Sequence, residues 1–244
     1  MLPQSGRMEI IMFALIDCRA NLECACNLEK YGFETVLMPP AEYLSAPVAF
    51  HTDMLVFSGF GKLFCHSKYY EKNKELIDKI SAGYSLFLSD EPTGDSYPND
   101  ALFNCVLLGN YLLCNKKTVS QYILSEARAH GFDVLHTNQG YTKCSVCKIS
   151  DNAVITSDAS IHRVCTDVGI DSLLVEVGHV LLPGYEYGFI GGASGVFGDR
   201  VYFCGDINTH PSSEQIKNFC LSHKKEVTNL SFGPLFDCGS ILFV

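Results

Sequence analysis

A cysteine near the carboxyl end of the chain is the residue whose type and position best fit catalysis. Cys238 follows Asp237 and precedes a short apolar segment, residues 240–244. A cysteine thiolate is a strong nucleophile, but its formation requires a nearby cation, histidine or helix start that stabilises the negative charge. Asp237 would instead raise the pKa of the thiol. We therefore expect Cys238 to be a weak nucleophile unless His51 approaches it from another part of the chain.

Polar residues precede apolar strands at five places along the chain. If these strands surround one axis, the polar residues face a shared centre and form a pocket for a small molecule. Each residue taken singly has a simpler explanation, because such residues also cap turns and bond to backbone groups. Their recurrence favours the pocket. The candidate binding residues are His51, Asp53, Asn104, Tyr141, Cys144, Ser194 and Asp237, and the candidate catalytic residue is Cys238.

The elements that position these residues repeat along the sequence. Four hairpins of two apolar strands are each followed by a helix-like run and one further short strand. The hairpins cover residues 54–65, 105–114, 145–156 and 195–204. Their turns contain Gly59, Gly109, Asp151 and Gly198, and self-similarity at a period of about 45 residues is typical of a repeat architecture.

The two ends of the chain supply the halves of a fifth unit. Residues 9–16 form an apolar strand without a partner, and residues 240–244 form a strand that ends before its own partner. Pairing these two strands removes two exposed sheet edges and closes a ring. The sequence therefore predicts an α/β fold, a five-fold pseudosymmetric αβ-propeller that is one domain over residues 1–244.

Composition limits the classes of partner. The net charge is −9 without a basic cluster, which argues against binding of nucleic acid because phosphate contacts need a basic face. The chain has no apolar run that approaches the roughly 18 residues of a membrane span. Its amino terminus lacks a signal-peptide pattern, and most of the 12 cysteines lie in apolar segments. We expect reduced thiols and a cytoplasmic location.

One cysteine pair has the spacing of metal ligands. Cys144 and Cys147 are followed by His162 and Cys165. A strand would send the side chains of Cys144 and Cys147 to opposite faces, so we predict neither a metal site nor a cofactor.

At this level of detail the chain resembles a known fold family. The five-unit pattern and the segment FDCGSILFV resemble the pentein fold of guanidine-modifying enzymes, which include arginine deiminases, amidinotransferases and dimethylarginine dimethylaminohydrolases. The segments YTKCS and GHVLLPGYEYGFIGGASG are more similar to an uncharacterised bacterial group of the same fold (DUF6873-like). The resemblance covers nearly the whole chain in the order of its units.

The resemblance implies roles for some residues and leaves others unfilled. Cys238 matches the nucleophile of the enzymes, whose thiolate attacks the guanidinium carbon. The stretch that should contain the catalytic histidine, residues 140–144, contains none, and Asn104 occupies an acidic position. Asp53 and Asp237 remain as groups that would hold a guanidinium ion.

Two functions are therefore open from the sequence. The first is a hydrolase or transferase that acts on a guanidino or amidino small molecule through a cysteine in the central pocket. The alternative is a non-catalytic module of the same fold that binds a small molecule or a protein; the ribosome anti-association factor resembles these enzymes in architecture and catalyses nothing.

Overall fold

Short strands and helices alternate through residues 11–244, the residues that this computed structural model describes. The strands are β1 (Phe13–Asp17), β2 (Glu34–Met38), β3 (Val56–Gly59), β4 (Lys62–His66), β5 (Ser85–Ser89), β6 (Val106–Leu108), β7 (Tyr111–Cys114), β8 (Asp133–His136), β9 (Val146–Ser150), β10 (Ala153–Thr156), β11 (Asp171–Leu174), β12 (Val180–Leu181), β13 (Ser194–Phe197), β14 (Arg200–Phe203), β15 (Glu226–Asn229), β16 (Leu235–Phe236) and β17 (Leu242–Phe243). The helices are α1 (Leu22–Lys30), α2 (Thr52–Leu55), α3 (Ser67–Lys72), α4 (Lys74–Ile80), α5 (Gln121–Ala129), α6 (Thr142–Ser145), α7 (Ala159–Asp167) and α8 (Ser213–Ser222), with a 3₁₀ helix at Ile207–Thr209.

Three-stranded sheets of one plan recur through the described residues. In each sheet the central strand pairs antiparallel with one neighbour and parallel with the other, and a helical segment connects the two parallel strands. In spatial order the sheets are β17-β1-β2, β3-β4-β5, β6-β7-β8, β9-β10-β11 and β13-β14-β15, and a two-stranded β12-β16 pair lies outside this plan. The predicted order of hairpin, helix and strand is confirmed, and so is the predicted fold class.

The connecting helices each bury one narrow face. The buried residues of α1 are Cys24 and Leu28, and those of α8 are Ile216 and Cys220. A spacing of four residues places both side chains of each pair on the same face, which packs against the sheet. The helix-like run predicted after the first hairpin is two short helices, α3 and α4, which meet at Asn73.

The ends of the chain pair as predicted. β1 and β17 are antiparallel, with Ala14 opposite Phe243 and Leu15 opposite Leu242. The backbones of Phe13 and Val244 exchange two hydrogen bonds, of 2.8 and 3.0 Å. Positions 9 and 10 of the predicted first strand lie outside the described residues. The last strand, β17, is therefore part of the same sheet as β1 and β2. The single-domain organisation stays a prediction.

The core consists of apolar side chains between neighbouring sheets and beneath the helices. One cluster contains Leu15, Met54, Leu55 and Val244, so it joins the first sheet, the start of the first hairpin and the end of the chain. Among residues 11–244, no helix combines the length and the hydrophobicity that crossing a membrane requires.

A substitution at the last residue tests the terminal pairing. Val244→Pro removes the N–H group that donates to the Phe13 carbonyl, whereas Val244→Ala retains it and only shortens the side chain. We expect the proline variant to lower the free energy of unfolding by about 1–3 kcal/mol more than the alanine variant, because a buried carbonyl loses its donor. Urea denaturation measures both. Equal stabilities would contradict a structural role for this pairing.

Candidate functional site

A cavity of about 290 Å³ opens between the segments that precede the first and third hairpins, the loop at residues 182–189 and the end of the chain. Its wall is largely aromatic and aliphatic, and a few polar groups converge at its inner end, as is typical of small-molecule sites. The lining residues are Val48, His51, Met54, Tyr141, Cys144, Leu182, Tyr185, Glu186, Tyr187, Phe189 and Asp237.

Two single-turn helices and the end of the chain place the polar groups. Thr52 and Asp53 begin α2, and Cys144 lies in α6. The hydroxyl of Thr52 donates to the carbonyls of Gly239 and Ser240, both at 2.6 Å, and the N–H of Asp53 donates to the Gly239 carbonyl at 3.0 Å. These contacts hold the last segment of the chain against the first hairpin.

His51 lies at the inner end of the cavity, and neither of its ring nitrogens has a hydrogen-bond partner among residues 11–244. Its Nδ1 is 3.8 Å from Oδ1 of Asp237, and both side chains are buried. Burial lowers the pKa of His51, although Asp53 and Asp17 oppose this shift. The imidazole is therefore neutral at physiological pH and has a free lone pair.

Asp237 is fully buried and held by backbone groups. Its Oδ2 accepts a hydrogen bond from the N–H of Phe189 at 2.8 Å, and its Oδ1 accepts one from the N–H of Gly239 at 3.0 Å. Gly188 and Gly192 pack directly on the carboxylate, where an added Cβ would lie less than 3 Å from its atoms. Burial raises the pKa of Asp237 to about 6, and the two backbone hydrogen bonds limit that rise.

Cys144 and Asp53 form a second buried pair beside the cavity. The thiol of Cys144 donates to the carboxylate of Asp53, with Sγ–O distances of 3.1 and 3.2 Å. Asn104 donates from Nδ2 to the same sulfur at 3.2 Å, and its Oδ1 accepts from the backbone N–H groups of Lys143 and Cys144. Burial raises the pKa of Cys144 well above the ordinary thiol value, and the negative charge of Asp53 adds to the shift.

A lysine balances part of this negative charge through a serine. Nζ of Lys143 donates to the hydroxyl of Ser240 at 2.8 Å, and that hydroxyl donates to Oδ2 of Asp53 at 2.7 Å. Burial raises the pKa of Asp53, and the charge of Lys143 opposes the rise. The carboxylate of Asp237 thus lies at the inner end of the cavity, and the carboxylate of Asp53 and the ammonium group of Lys143 lie behind Cys144.

The structure brings together most of the predicted binding residues. His51, Tyr141, Cys144 and Asp237 line the cavity. Asp53 and Asn104 contact Cys144 from behind, and the hydroxyl of Tyr141 donates to Asp100 at 2.7 Å. Ser194 does not belong to the lining of the cavity. Its buried hydroxyl donates to the carbonyl of Gly191 at 3.1 Å, which is the backbone role that the simpler explanation gave it.

Cys238 does not occupy the position expected of a pocket nucleophile. Its side chain is fully buried in an apolar cluster with Ala14 and Ile16, and its Sγ lies 3.2 Å from Sγ of Cys204. The hydrogen bond with Cys204 lowers the pKa of Cys238, but burial and the charge of Asp237 outweigh it, so the pKa is raised. The cysteine that lines the cavity is Cys144.

Sequence reasoning missed several parts of the site. The loop that contains Tyr185, Glu186 and Tyr187 forms one wall, and Ser240 connects Lys143 to Asp53. The concentration of aromatic, acidic and glycine residues in PGYEYGFIGG was an available signal for the loop. The role of Ser240 had no comparable signal, because a serine within an apolar segment usually serves the backbone.

The chain belongs to a family of unknown function, DUF6873, whose model matches residues 15–242. Among curated proteins, none matches the sequence significantly. The family therefore extends over nearly the whole described chain without supplying an activity.

Solved structures of guanidine-modifying enzymes share the fold. A dimethylarginine dimethylaminohydrolase from Pseudomonas aeruginosa in complex with citrulline is 9% identical, with a TM-score of 0.58 over 89% of this chain and 90% of that chain. The agmatine deiminase of C. jejuni is 9% identical, with a TM-score of 0.53 over 91% and 86%. An amidinotransferase from Microseira wollei is 10% identical, with a TM-score of 0.56 over 86% and 74%. At these identities the likeness shows the fold alone, and the predicted resemblance to the pentein fold is confirmed.

A pair of glycine substitutions tests how His51 is positioned. Gly239 has a φ of +65°, and a Cβ on it would lie 2.2 Å from Cβ of His51; Gly198 has a φ of +58° and open space around it. Both Gly→Ala changes carry the cost of a left-handed backbone, about 1–2 kcal/mol. We expect Gly239→Ala to lower the free energy of unfolding by about 1–3 kcal/mol more than Gly198→Ala, because only Gly239 is overpacked. Equal losses in urea denaturation would contradict the close contact.

Proposed function

We propose that this protein binds a small organic cation of the guanidino or amidino class in the central cavity. The observation that carries the proposal is the fully buried carboxylate of Asp237, which faces the cavity. Among the described residues, no lysine or arginine lies within 4 Å of it, and its nearest basic group is His51 at 3.8 Å. A buried carboxylate without a counter-ion favours a ligand that carries a positive charge.

The charge balance of the inner cavity supports a cationic ligand. Asp53 and Asp237 are both buried, whereas Lys143 supplies one positive charge near them. Because His51 is neutral, ionisation of both carboxylates leaves an excess negative charge. A planar guanidinium ion would neutralise that charge and form charge-assisted hydrogen bonds with a carboxylate.

The wall of the cavity suits the same class of ligand. Tyr141, Tyr185, Tyr187 and Phe189 present aromatic rings to the cavity, and aromatic faces attract guanidinium and ammonium groups at a gain of about 0.5–2 kcal/mol. Glu186 lies among these residues and adds a further negative charge. A volume of about 290 Å³ matches a single small molecule.

The structural relatives support the ligand class without assigning it. Their names describe enzymes that act on dimethylarginine and agmatine or transfer amidino groups. All of these compounds carry a guanidino or amidino cation. The ligand class proposed from the charges of the cavity is therefore one that this fold accommodates in other proteins.

Catalysis through Cys144 is the second candidate function. The thiol of Cys144 lies at the cavity, and its sulfur is within 4.8 Å of a ring nitrogen of His51. In such a reaction the thiolate would form a C–S bond to the guanidinium carbon, an amine would leave with a proton, and water would then release a ureido product and regenerate the thiol.

The raised pKa of the Cys144 thiol fits binding without turnover better than it fits catalysis. The pKa of Cys144 is raised well above the ordinary value by burial and by Asp53, to which the thiol donates its proton. Catalytic cysteines instead have lowered pKa values, because they lie beside cations or helix starts. Lys143 contacts Ser240 rather than this sulfur.

Isothermal titration calorimetry with arginine, agmatine and citrulline tests the proposed ligand class. Citrulline matches arginine in shape but carries a neutral ureido group. We expect arginine or agmatine to bind and citrulline to bind at least about tenfold more weakly, because a charge-assisted hydrogen bond contributes about 1.5–3 kcal/mol. Affinity for the cation should rise as the pH increases through about 6, where Asp237 becomes ionised, and should level off above pH 7.

Two variants separate the charge of Asp237 from a general effect on the fold. Asp237→Asn should abolish both the preference for the cation and the pH dependence, whereas Asp199→Asn, at an exposed turn, should change neither. Thermal unfolding without ligand shows whether each variant is folded. Equal binding of arginine and citrulline, or cation binding that survives Asp237→Asn, would contradict the proposal.

An assay for amine release and ureido product distinguishes the two candidate functions. We expect the wild-type chain to bind arginine or agmatine without converting it, because the Cys144 thiol is protonated at neutral pH. Product that disappears in Cys144→Ser and persists in Cys26→Ser, a change at an exposed cysteine, would instead establish hydrolysis at Cys144.

A further inference from the structure

Three donor groups of different chemistry converge beside the cavity. One nitrogen of His51, one carboxylate oxygen of Asp53 and Sγ of Cys144 all lie within 4.8 Å of one another, and all three residues are buried. Within the described part of the chain, both ring nitrogens of His51 lack a hydrogen-bond partner although the side chain is about 1% exposed. A buried imidazole without a partner is costly, so the group needs a ligand that the protein chain does not supply.

We propose that His51, Asp53 and Cys144 bind a divalent transition metal ion, with Zn²⁺ as the ion best suited to this set of donors. Zinc accepts sulfur, imidazole nitrogen and carboxylate oxygen in one tetrahedral site. A thiolate ligand disfavours Mg²⁺ and Ca²⁺, which prefer oxygen donors throughout. The sequence pattern Cys144-x-x-Cys147 is not the basis of this site, because Cys147 packs in a separate apolar cluster.

The spacing of the donors requires little rearrangement. Zinc–sulfur bonds are about 2.3 Å long and zinc–nitrogen and zinc–oxygen bonds about 2.0–2.2 Å, so tetrahedral ligands lie roughly 3.3–3.8 Å apart. Cys144 and Asp53 are already 3.1–3.2 Å apart. His51 completes the set from the cavity side, and its ring is free of hydrogen bonds that would resist a small movement.

Neighbouring groups would orient two of the ligands. Asn104 donates to Sγ of Cys144, and Ser240 donates to the carboxylate of Asp53. Such outer contacts fix ligand geometry in metal sites. Asp237 lies 3.8 Å from His51, but its two oxygens already accept backbone hydrogen bonds from Phe189 and Gly239. Water would take the fourth position, as in zinc sites with three protein ligands.

Binding involves no change of oxidation state. The S–H bond of Cys144 is replaced by a sulfur–zinc bond, and its proton passes to solvent. The metal inference does not depend on the proposed function. Its consequence for ligand binding does rest on that function: binding of Zn²⁺ with loss of the Cys144 proton makes the site one charge more positive, so the zinc ion and the organic cation should compete.

Cobalt substitution tests the site directly. The full-length chain, without a histidine tag and kept reduced with a phosphine, is treated with a chelator and then titrated with Co²⁺. We expect one equivalent to produce the near-ultraviolet charge-transfer band of a cobalt thiolate together with the visible bands of a tetrahedral ion. Zn²⁺ should displace the cobalt and remove both signals.

Matched variants locate the ligands. Cys144→Ser should abolish the charge-transfer band, whereas Cys26→Ser, at an exposed cysteine, should leave it unchanged. His51→Gln should weaken Co²⁺ binding by at least about tenfold, and His130→Gln, at a half-exposed histidine, should not. Circular dichroism of the metal-free variants establishes that they are folded. A band that survives Cys144→Ser, or affinity unaffected by His51→Gln, would overturn the proposal, as would the absence of a thiolate band in the folded wild-type chain.

The metal test and the calorimetry fail independently. Cobalt binding by a chain that does not bind arginine or agmatine would support the metal site and contradict the proposed function alone. Binding of the organic cation by a chain that gives no cobalt thiolate band would overturn the metal site alone. A fall in arginine or agmatine affinity when one equivalent of Zn²⁺ is present would support both.

Discussion

The contact between the first hairpin and the last segment of the chain is the constraint on which the site depends. Thr52 and Asp53 bind the carbonyls of Gly239 and Ser240, residues that are separated from them by almost the whole chain. Because these bonds are buried and satisfy backbone groups, breaking them would leave unpaired carbonyls. The pairing of β1 with β17 holds the same segment from its other end. Together they fix Asp237 at the cavity and Asp53 and Ser240 behind it.

The site also concentrates negative charge, because the carboxylates of Asp53 and Asp237 are both buried. Burial of Asp53 and Asp237 raises the free energy of their ionised forms, and the hydrogen bonds from Ser240, Phe189 and Gly239 recover part of it. His51 does not compensate, because its own burial favours the neutral ring. A cation that enters the cavity would form with these carboxylates the ion pair that His51 does not provide. The organic cation and the metal ion are two ligands that meet this same requirement, and they use different members of the cluster.

The chain shows how one fold accommodates different arrangements of reactive groups. The fold is that of guanidine-modifying enzymes, yet the cysteine at the cavity comes from α6 and the matching cysteine of the last unit lies in the core. Asn104, an amide in the position that the resemblance assigns to an acid, donates a hydrogen bond to Sγ of Cys144. The architecture therefore positions the cavity, while a few side chains decide its chemistry.

The sequence by itself determined the repeating units and the pairing of the chain ends, because both follow from hydrophobic periodicity and turn residues. It also identified His51, Asp53, Asn104, Tyr141, Cys144 and Asp237, which the structure places at or directly behind the cavity. Only the tertiary structure decided which cysteine faces the cavity. Asp237 lines the cavity, whereas the side chain of the next residue, Cys238, packs in the core beside Cys204, and this choice depends on contacts between segments that are distant in the sequence. The single helical turns α2 and α6, too short to leave a periodic signal, rotate Asp53 and Cys144 toward each other.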